Sequence, residues 1–264
     1  MNNALKIGIV GGNGWLGGAI ASALLDAGVV EADGLTVSCR SRKSSPFSGV
    51  YLTLDNQELV ERSDVIILSV RPADWPSLRI EMPGKLVISV MAGIGFEKLC
   101  AHHKTARVVR AMPNAAATVR QSYTPWVATS SITDADRAVI RSVFAACGVE
   151  DEIKTEKHID YFTGLSGSGP AFPAMLASAM MDEAVANGIP SEIALRAVTT
   201  LFMGTGRLFE QNIHTPKEFV ASFVNYDGTT AAALNAMKEN GFDTAVAKGL
   251  SAAFLKSMKM EVSY

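Results

Sequence analysis

A turn of small residues, Gly11-Gly12-Asn13-Gly14-Trp15-Leu16-Gly17, stands between a β-branched run, Leu5 to Val10, and a helical-looking segment, Ala19 to Asp26. The chemistry such a turn can do is to hold a diphosphate. Between a strand and a helix, one glycine makes the tight bend, a second lets backbone approach the pyrophosphate, and a third lets the helix pack on the strand. Gly12, Gly14 and Gly17 fit the G-x-G-x-x-G spacing, and Gly11, Asn13, Trp15 and Leu16 complete the candidate cofactor turn. The spacing alone also fits a glycine loop in an unrelated α/β protein, so the surrounding elements must decide.

Farther along, Ser38-Cys39-Arg40-Ser41-Arg42-Lys43 closes a second apolar run, where an NAD site would place an acid on the ribose hydroxyls. Arg40, Ser41 and Arg42 suit a ribose phosphate instead, because guanidinium groups bind phosphate bidentately and hydroxyls donate to it. NADPH is therefore the expected cofactor, although the cluster also fits a solvated basic turn. Later strand ends carry Val70-Arg71-Pro72, Ser89 to Ala92-Gly93, and Arg110 to Pro113-Asn114. Ligands of open α/β sheets sit outside the carboxyl ends of strands, which makes these turns candidates for the nicotinamide half of a pocket. Pro and Asn also end strands for conformational reasons alone.

Two loops in the second half look chemical. Gly164-Leu165-Ser166-Gly167-Ser168-Gly169-Pro170 adds Ser166 and Gly167 to the cofactor candidates, and Asn225-Tyr226-Asp227-Gly228-Thr229-Thr230 leads into a helix expected over Ala231 to Lys238. Backbone N–H groups at a helix start bind carboxylates and phosphates. Plain capping, with Asp227 or Thr229 as N-cap, explains the second loop equally well.

The elements that must position these residues follow from periodicity. Apolar runs at Leu35 to Cys39, Asp64 to Val70, Leu86 to Met91 and Val108 to Met112 recur at crossover-like intervals, as strands covered on both faces do. From about Glu156 the chain turns to Ala, Met, Leu and Phe at helical spacing. The expected class is α/β, with a Rossmann-like NADP-binding domain over residues 1–155 and an all-α dimerisation and substrate domain over 156–264. Phe172, Met175, Leu176, Ala179, Met180 and Val185 form one wide apolar face, and Ala194 to Phe209 is apolar nearly all round. Such helices call for subunit association or for burial inside the monomer. Pro190, Pro216 and Gly241 read as helix boundaries.

Lys and Arg number 24 against 26 Asp and Glu, which leaves no basic field for nucleic acid or an anionic membrane and makes a small molecule the expected partner. Cys39, Cys100 and Cys147 lie far apart, so neither a disulfide framework nor a zinc site is expected. The N-terminus lacks a charged segment leading into an apolar signal core, no stretch has the length and apolarity of a membrane span, and a cytoplasmic protein is expected. His102 and His103 are adjacent while His158 and His214 stand alone, which favours structural or solvated histidine over metal ligation. Trp15, Trp75 and Trp126 fit either the cofactor cleft or the core.

These motifs taken together resemble the pyrroline-5-carboxylate reductase family from the first glycine turn almost to the C-terminus. They are Gly11 to Gly17, Val70-Arg71-Pro72 where the family has V-K-P, Ser89 to Gly93, Arg110 to Asn114, Leu165-Ser-Gly-Ser-Gly-Pro-Ala171 and Gly228-Thr-Thr230. The resemblance implies NAD(P)H-dependent reduction of the cyclic imine 1-pyrroline-5-carboxylate to L-proline, by a homodimer with intertwined helical domains that often assembles further. It implies that Thr230 hydrogen-bonds the imine nitrogen while Gly228 and Thr229 offer amides to the substrate carboxylate, beside Asn225 and Asp227.

The family reads S-P-G-G-[TA]-T where this chain has Asn225 to Thr230, and three of the six positions differ. Turned into the pocket, Asp227 would face the substrate carboxylate, and like charges about 4 Å apart cost roughly 4 kcal/mol at a surface-like dielectric. Turned outward, it would cap the next helix. The altered loop keeps open an NADPH-dependent reductase of another small imine or keto acid, or a noncatalytic NADPH-binding paralogue. A hydroxyacid dehydrogenase pattern, G-x-x-G-x-G-x-x-x-K, fits Gly164, Gly167 and Gly169 but meets Pro173 at the lysine position, so the acid/base group of alcohol chemistry is missing.

Overall fold

The computed structural model describes residues 5–41, 46–211 and 215–263. The chain divides into two compact units, Met1–Ser168 together with Ala252–Tyr264, and Gly169–Ser251. The composition changes near residue 155, ahead of this spatial division.

The first unit is built on one eight-stranded sheet: β1 (Ile7–Val10), β2 (Leu35–Ser38), β3 (Tyr51–Thr53), β4 (Val65–Leu68), β5 (Leu86–Ser89), β6 (Val108–Ala111), β7 (Ser122–Ala128) and β8 (Gly148–Glu152). Their spatial order is β3-β2-β1-β4-β5-β6-β7-β8. Pairing is parallel from β3 through β6, antiparallel between β6 and β7, and parallel again between β7 and β8. Every residue of β1, β2, β4, β5 and β6 is buried, as the unbroken apolar runs required. Ile7, Ile9, Ile67 and Ile88 pack on one face against α1 (Trp15–Asp26) and α4 (Asp134–Ala145), and Val10, Ile66, Leu68 and Val87 pack on the other against α2 (Asn56–Arg62) and α3 (Phe96–His103). The period of two along each strand thus feeds two cores.

Strand order reverses at β1, which lies between β2 and β4. The ends of those three strands therefore splay around a crevice, the position where open α/β sheets take ligands. Three strands lacked a sequence signal for physical reasons. β3 has three residues, β7 contains Pro125, and the edge strand β8 reads Gly-Val-Glu-Asp-Glu with its acids turned to solvent or to arginines.

Beyond the sheet, α5 (Glu156–Phe162) is tied to β6 by a buried cation. Arg110, 1% exposed, donates to Glu156 at 2.9 Å and to Asp160 at 2.8 Å, and Glu156 also accepts from the Phe96 amide at 2.8 Å. A buried guanidinium needs such partners, because an unpaired buried charge costs several kcal/mol. The chain then runs through a π-helical turn at Thr163–Gly167. The last turns of α10 (Phe242–Ser263) belong to this unit as well, where Phe254 meets the ring of Tyr161 at 5.8 Å.

The second unit is helical: α6 (Ala171–Ala186), α7 (Ser191–Glu210), α8 (Pro216–Asn225), α9 (Thr229–Glu239) and the start of α10. Pro190 is the N-cap of α7, Pro216 opens α8 behind a Thr215/Glu218 capping box, and Gly241, with φ +85°, precedes α10. Among its described residues only Ala194, Val198 and Ala231 are buried, while Met175 is 77% and Met203 74% exposed. So little burial cannot offset the conformational entropy of ordering these helices.

No described helix is long and apolar enough to cross a membrane. His103 is fully buried and Trp75 nearly so, and they fix the short 3-10 turn Pro72–Ser77 that follows β4. The Trp75 indole donates to His103 Nε2 at 2.9 Å, while Nδ1 lies 2.9 Å from the Ile80 carbonyl. An indole N–H can only donate and a carbonyl can only accept, so the ring must be the neutral Nδ1–H tautomer. Burial accordingly pushes its pKa down from 6.5 to about 4.

An unfolded histidine takes its proton near 6.5 and the folded one only near 4. The stability held by the neutral ring is therefore complete above the first value and lost as pH falls toward the second, by about 3 kcal/mol in all. Denaturant titrations at neutral and acidic pH should show this loss in the wild type and a flatter profile in His103→Gln, which keeps an acceptor and a donor without titrating. An equally steep profile in the variant would remove His103 as the source.

Candidate functional site

The crevice at the end of β1 is a cleft of about 870 Å3 within the first unit, lined by Gly11, Asn13, Gly14, Trp15 and Leu16 from the first turn, Ser38 to Ser41 from the second, and Ser69 to Arg71 with Asp74 from the third. Val10, Leu54, Asn56, Ser77, Leu78 and Val90 complete its wall.

The glycines divide their labour differently from the spacing argument. Gly11 makes the bend, with φ +83°, and donates to the Ser38 carbonyl at 3.1 Å. Gly12 packs against β2, where a Cβ would stand 2.7 Å from Val37 Cβ. Gly17 packs on the turn itself, since a Cβ there would stand 2.5 Å from the Gly11 carbonyl oxygen. Gly14 is the N-cap of α1, without a side-chain cap and without an acid in the first turn. The Gly14 amide donates to the Gly11 carbonyl at 2.8 Å, so the backbone surface offered to a diphosphate is that of Trp15 and Leu16, where uncapped amides and the helix dipole favour an anion.

Two further observations fit a dinucleotide. The side-chain oxygen of Asn13 is buried without a hydrogen-bond partner among the described residues. It would be satisfied by a ribose hydroxyl, or, with the amide turned over, would present N–H donors to a phosphate oxygen. Trp15 is 60% exposed beside the cleft, whereas Trp75 and Trp126 are core residues.

At the end of the cleft beside β2, Ser38 donates to Asn56 Oδ1 at 2.6 Å, and Cys39 donates to the Ser41 carbonyl at 3.0 Å. Arg40 and Arg71 both bond Asp74, at 2.7 and 2.8 Å, and the Arg71 guanidinium beside it holds the Asp74 carboxyl below its usual range. Arg42, the third residue expected here, lies outside the described residues.

The structure thus brings Gly11, Asn13, Gly14, Trp15, Leu16, Arg40, Ser41, Val70 and Arg71 to one cleft. Gly12 stands behind the turn, and Pro72 opens the 3-10 turn rather than lining the cleft. Ala92, Gly93, Asn114, Ser166 and Gly167 are not part of its wall. Asn114 and Ser166 are joined to each other, the Asn114 amide donating to the Ser166 carbonyl at 3.0 Å while its oxygen accepts from the Ala116 amide at 2.9 Å. Gly167 packs on Met112, where a Cβ would meet the side chain at 3.0 Å. The Arg110-to-Asn114 motif and the Ser166-Gly167 part of the second motif are therefore one structural cluster. Sequence reasoning missed Asn56 and Asp74, although Asp74 stands three residues beyond Arg71, the spacing of an ion pair on one helical turn.

In the second unit, the Asn225-to-Thr230 loop joins α8 to α9. Asn225, Asp227, Thr229 and Thr230 are exposed and Gly228 is half-buried. Neither Asp227 nor Thr229 caps the helix, as a plain capping role required. Gly228 is the N-cap, without a side-chain bond, and α9 begins at Thr229. Asp227 adopts φ +54°, a left-handed conformation that places it ahead of the cap rather than on it. The first amides of α9 are left for an external acceptor, with the Thr230 hydroxyl in the same turn.

Comparison with known proteins bears on both units. A family model described as pyrroline-5-carboxylate reductase dimerisation matches residues 156–260, and one described as NADP oxidoreductase, coenzyme F420-dependent, matches residues 6–93. The chain is 30% identical to a pyrroline-5-carboxylate reductase of Methanosarcina acetivorans over 269 residues, covering 97% of each chain. It is 28% identical to one of Synechocystis, covering 97% of this chain and 98% of that one. The fold matches that of a Plasmodium falciparum pyrroline carboxylate reductase with NADP bound at a TM-score of 0.87, with 26% identity and 99% of each chain covered.

Gly17→Ala tests the cradle. Its methyl group would force α1 away from the turn, so NADPH affinity should fall by roughly tenfold or more, about 1.4 kcal/mol, with a lower melting temperature. A dissociation constant unchanged in calorimetric titration would show that the diphosphate does not rest on this turn.

Proposed function

The chain belongs to the pyrroline-5-carboxylate reductase family, and from that premise we propose that it reduces the cyclic imine 1-pyrroline-5-carboxylate to L-proline with NADPH, as the reductive step of proline biosynthesis. The observation that carries the reading is the glycine cradle with its two rim arginines, present in a chain that covers 97% of a reductase relative.

In this reading Trp15 and Leu16 bind the diphosphate through amides while Gly14, lacking a side chain, lets it approach, Asn13 takes a ribose, and Arg40 with Ser41 takes the ribose phosphate. Val70 and Arg71 flank them, and Ala92, Gly93, Asn114, Ser166 and Gly167 are assigned to the nicotinamide side. When bound, the cofactor supplies a hydride to the imine carbon.

The chain's own groups then handle charge. As the carbon accepts the hydride, electron density moves to the ring nitrogen, which must carry a proton or gain a strong hydrogen bond. The Thr230 hydroxyl is the donor assigned to that nitrogen, and a neutral hydroxyl can serve without ionising. The substrate carboxylate is assigned to the uncapped amides of Gly228 and Thr229, where the dipole of α9 favours an anion. Asn225 and Asp227 border that position. An Asp227 that is exposed and not engaged as a cap leaves its charge available to a ligand, which favours testing neighbouring imines beside the named substrate.

The first 155 residues form the cofactor domain in this proposal, and residues 156–264 carry substrate and subunit contacts. The exposed apolar helices of the second unit are covered in a homodimer, so sedimentation should return at least twice the 28.0 kDa chain mass. A cytoplasmic setting suits the three unpaired thiols.

Thr230→Ala should lower turnover of pyrroline-5-carboxylate by about 10²-fold or more while NADPH binding stays close to wild type. NADPH consumption is followed with pyrroline carboxylate, piperideine carboxylates and simple keto acids side by side, with NADH as control. Loss of cofactor binding together with turnover would remove the role of Thr230, and turnover confined to a different imine would make Asn225 to Asp227 the specificity loop.

A further inference from the structure

The rim of the cleft holds a charge arrangement that hydride transfer does not itself require. Arg40 comes from the turn after β2 and Arg71 from the turn after β4, the two strands that flank β1. Both guanidinium groups close on one carboxylate. Arg40 meets Asp74 end on, with Nη2 2.7 Å from Oδ2 and Nη1 3.4 Å from Oδ1. Arg71 meets it side on, with Nε 2.8 Å from Oδ2 and Nη2 3.4 Å from Oδ1. Both arginine side chains are about three-quarters exposed, at 76% and 75%, while Asp74 is 24% exposed. Among the described residues lining the cleft, Asp74 is the one acid.

We propose that Asp74 is the resting counter-ion of the ribose-phosphate subsite, a specificity-determining residue that holds Arg40 and Arg71 at the rim and competes with the cofactor's phosphate for them. The inference rests on reading the cleft as an NADPH site. It concerns how strongly the phosphorylated cofactor is favoured, which that reading leaves open.

Three steps carry it. Each guanidinium has five N–H donors and Asp74 engages two on each, so both arginines keep donors for a second acceptor. Exposed ion pairs are weak and exchange partners readily, whereas a phosphomonoester dianion offers a guanidinium more charge and more acceptor oxygens than a carboxylate does. Phosphate can therefore enter the rim. Once it is there, the Asp74 carboxylate becomes a like charge beside it. The three described rim charges sum to +1 with Asp74 present and would sum to +2 with a neutral amide in its place. NADH carries no phosphate at the ribose and does not meet this competition, and the diphosphate common to both cofactors cancels in their ratio.

The Asp74 network also explains why two long cationic side chains have defined positions at an exposed rim. The Trp75 indole bonded to His103 fixes the 3-10 turn on which Asp74 sits. Asp74 then fixes the arginines. A carboxylate mounted on an anchored turn gives up less entropy than a mobile one when it binds them.

The test uses the full chain as wild type, Asp74→Asn and Asp74→Ala, with NADPH and NADH binding measured by calorimetry at low and high salt. Wild type should favour NADPH. Both variants should widen that preference by about fivefold, the effect of removing one like charge about 4 Å away in a water-like dielectric. NADH binding should change less than NADPH binding, and an unchanged far-UV circular dichroism spectrum and melting temperature show that the variants are folded. The gain should shrink at high salt, as an electrostatic effect between exposed groups must. A preference that is unchanged or narrower in both variants would overturn the competition, a narrower one meaning that Asp74 only positions the arginines. Wild type without a preference for NADPH would take down the cofactor reading as well, so the two failures are told apart by the wild-type measurement alone.

Discussion

The first unit depends on one steric constraint, the approach of α1 to the end of β1. Helix and strand can meet there because Gly12 and Gly17 present no Cβ, and because Gly11 turns the chain through a positive φ open to glycine at low cost. Any side chain at Gly17 would collide with the backbone of the turn rather than with a flexible neighbour. Closeness has a chemical result. It carries the uncapped amides of α1 into the crevice where strand order reverses, so the exposed amides and the packing interface are two sides of one turn. The glycine spacing is satisfied, yet two of its three members serve packing and Gly14 alone serves approach.

That division shows what a sequence can and cannot reveal. The five central strands were legible because burial on both faces leaves unbroken apolar runs, and the run lengths overshoot by one to three residues because the runs continue into the flanking turns. β3, β7 and β8 were not legible. A three-residue strand, a strand interrupted by Pro125 and an edge strand of acids have no period to detect. Within the cleft, glycine and arginine positions could be read locally, since each follows directly on a strand. Asn56 and Asp74 could not be placed in it, because what brings them to the cleft is the packing of a helix and a 3-10 turn, although the spacing of Asp74 from Arg71 suits an ion pair.

The second unit poses the opposite problem. Its helices are strongly apolar and easy to place, and Pro190, Pro216 and Gly241 mark their ends, yet only three of its described residues are buried. Sequence announces the elements there and says little about what covers them. The loop before α9 behaves similarly. Its composition suggested an N-cap from Asp227 or Thr229, but the left-handed turn at Asp227 gives the cap to Gly228 and leaves both side chains at the surface. A cap without a side chain is a poor stabiliser of an isolated helix. It makes sense where another acceptor, such as a substrate carboxylate, completes the turn.

Core and rim are connected in the first unit through a histidine that must stay neutral. His103 lies fully buried at the end of α3, accepting from an indole on one side and facing a carbonyl on the other. Protonation would aim a second N–H at the indole N–H, so the same arrangement that anchors Trp75 excludes charge. Asp74, the residue before Trp75, inherits a fixed position at the cleft, and through it so do two arginines from turns on opposite sides of β1. The exposed ion pairs contribute little to folding by themselves. Their value lies in presenting a defined cationic rim to an anion, and the rim is defined because the turn beneath it is held by a buried neutral contact that salt does not weaken.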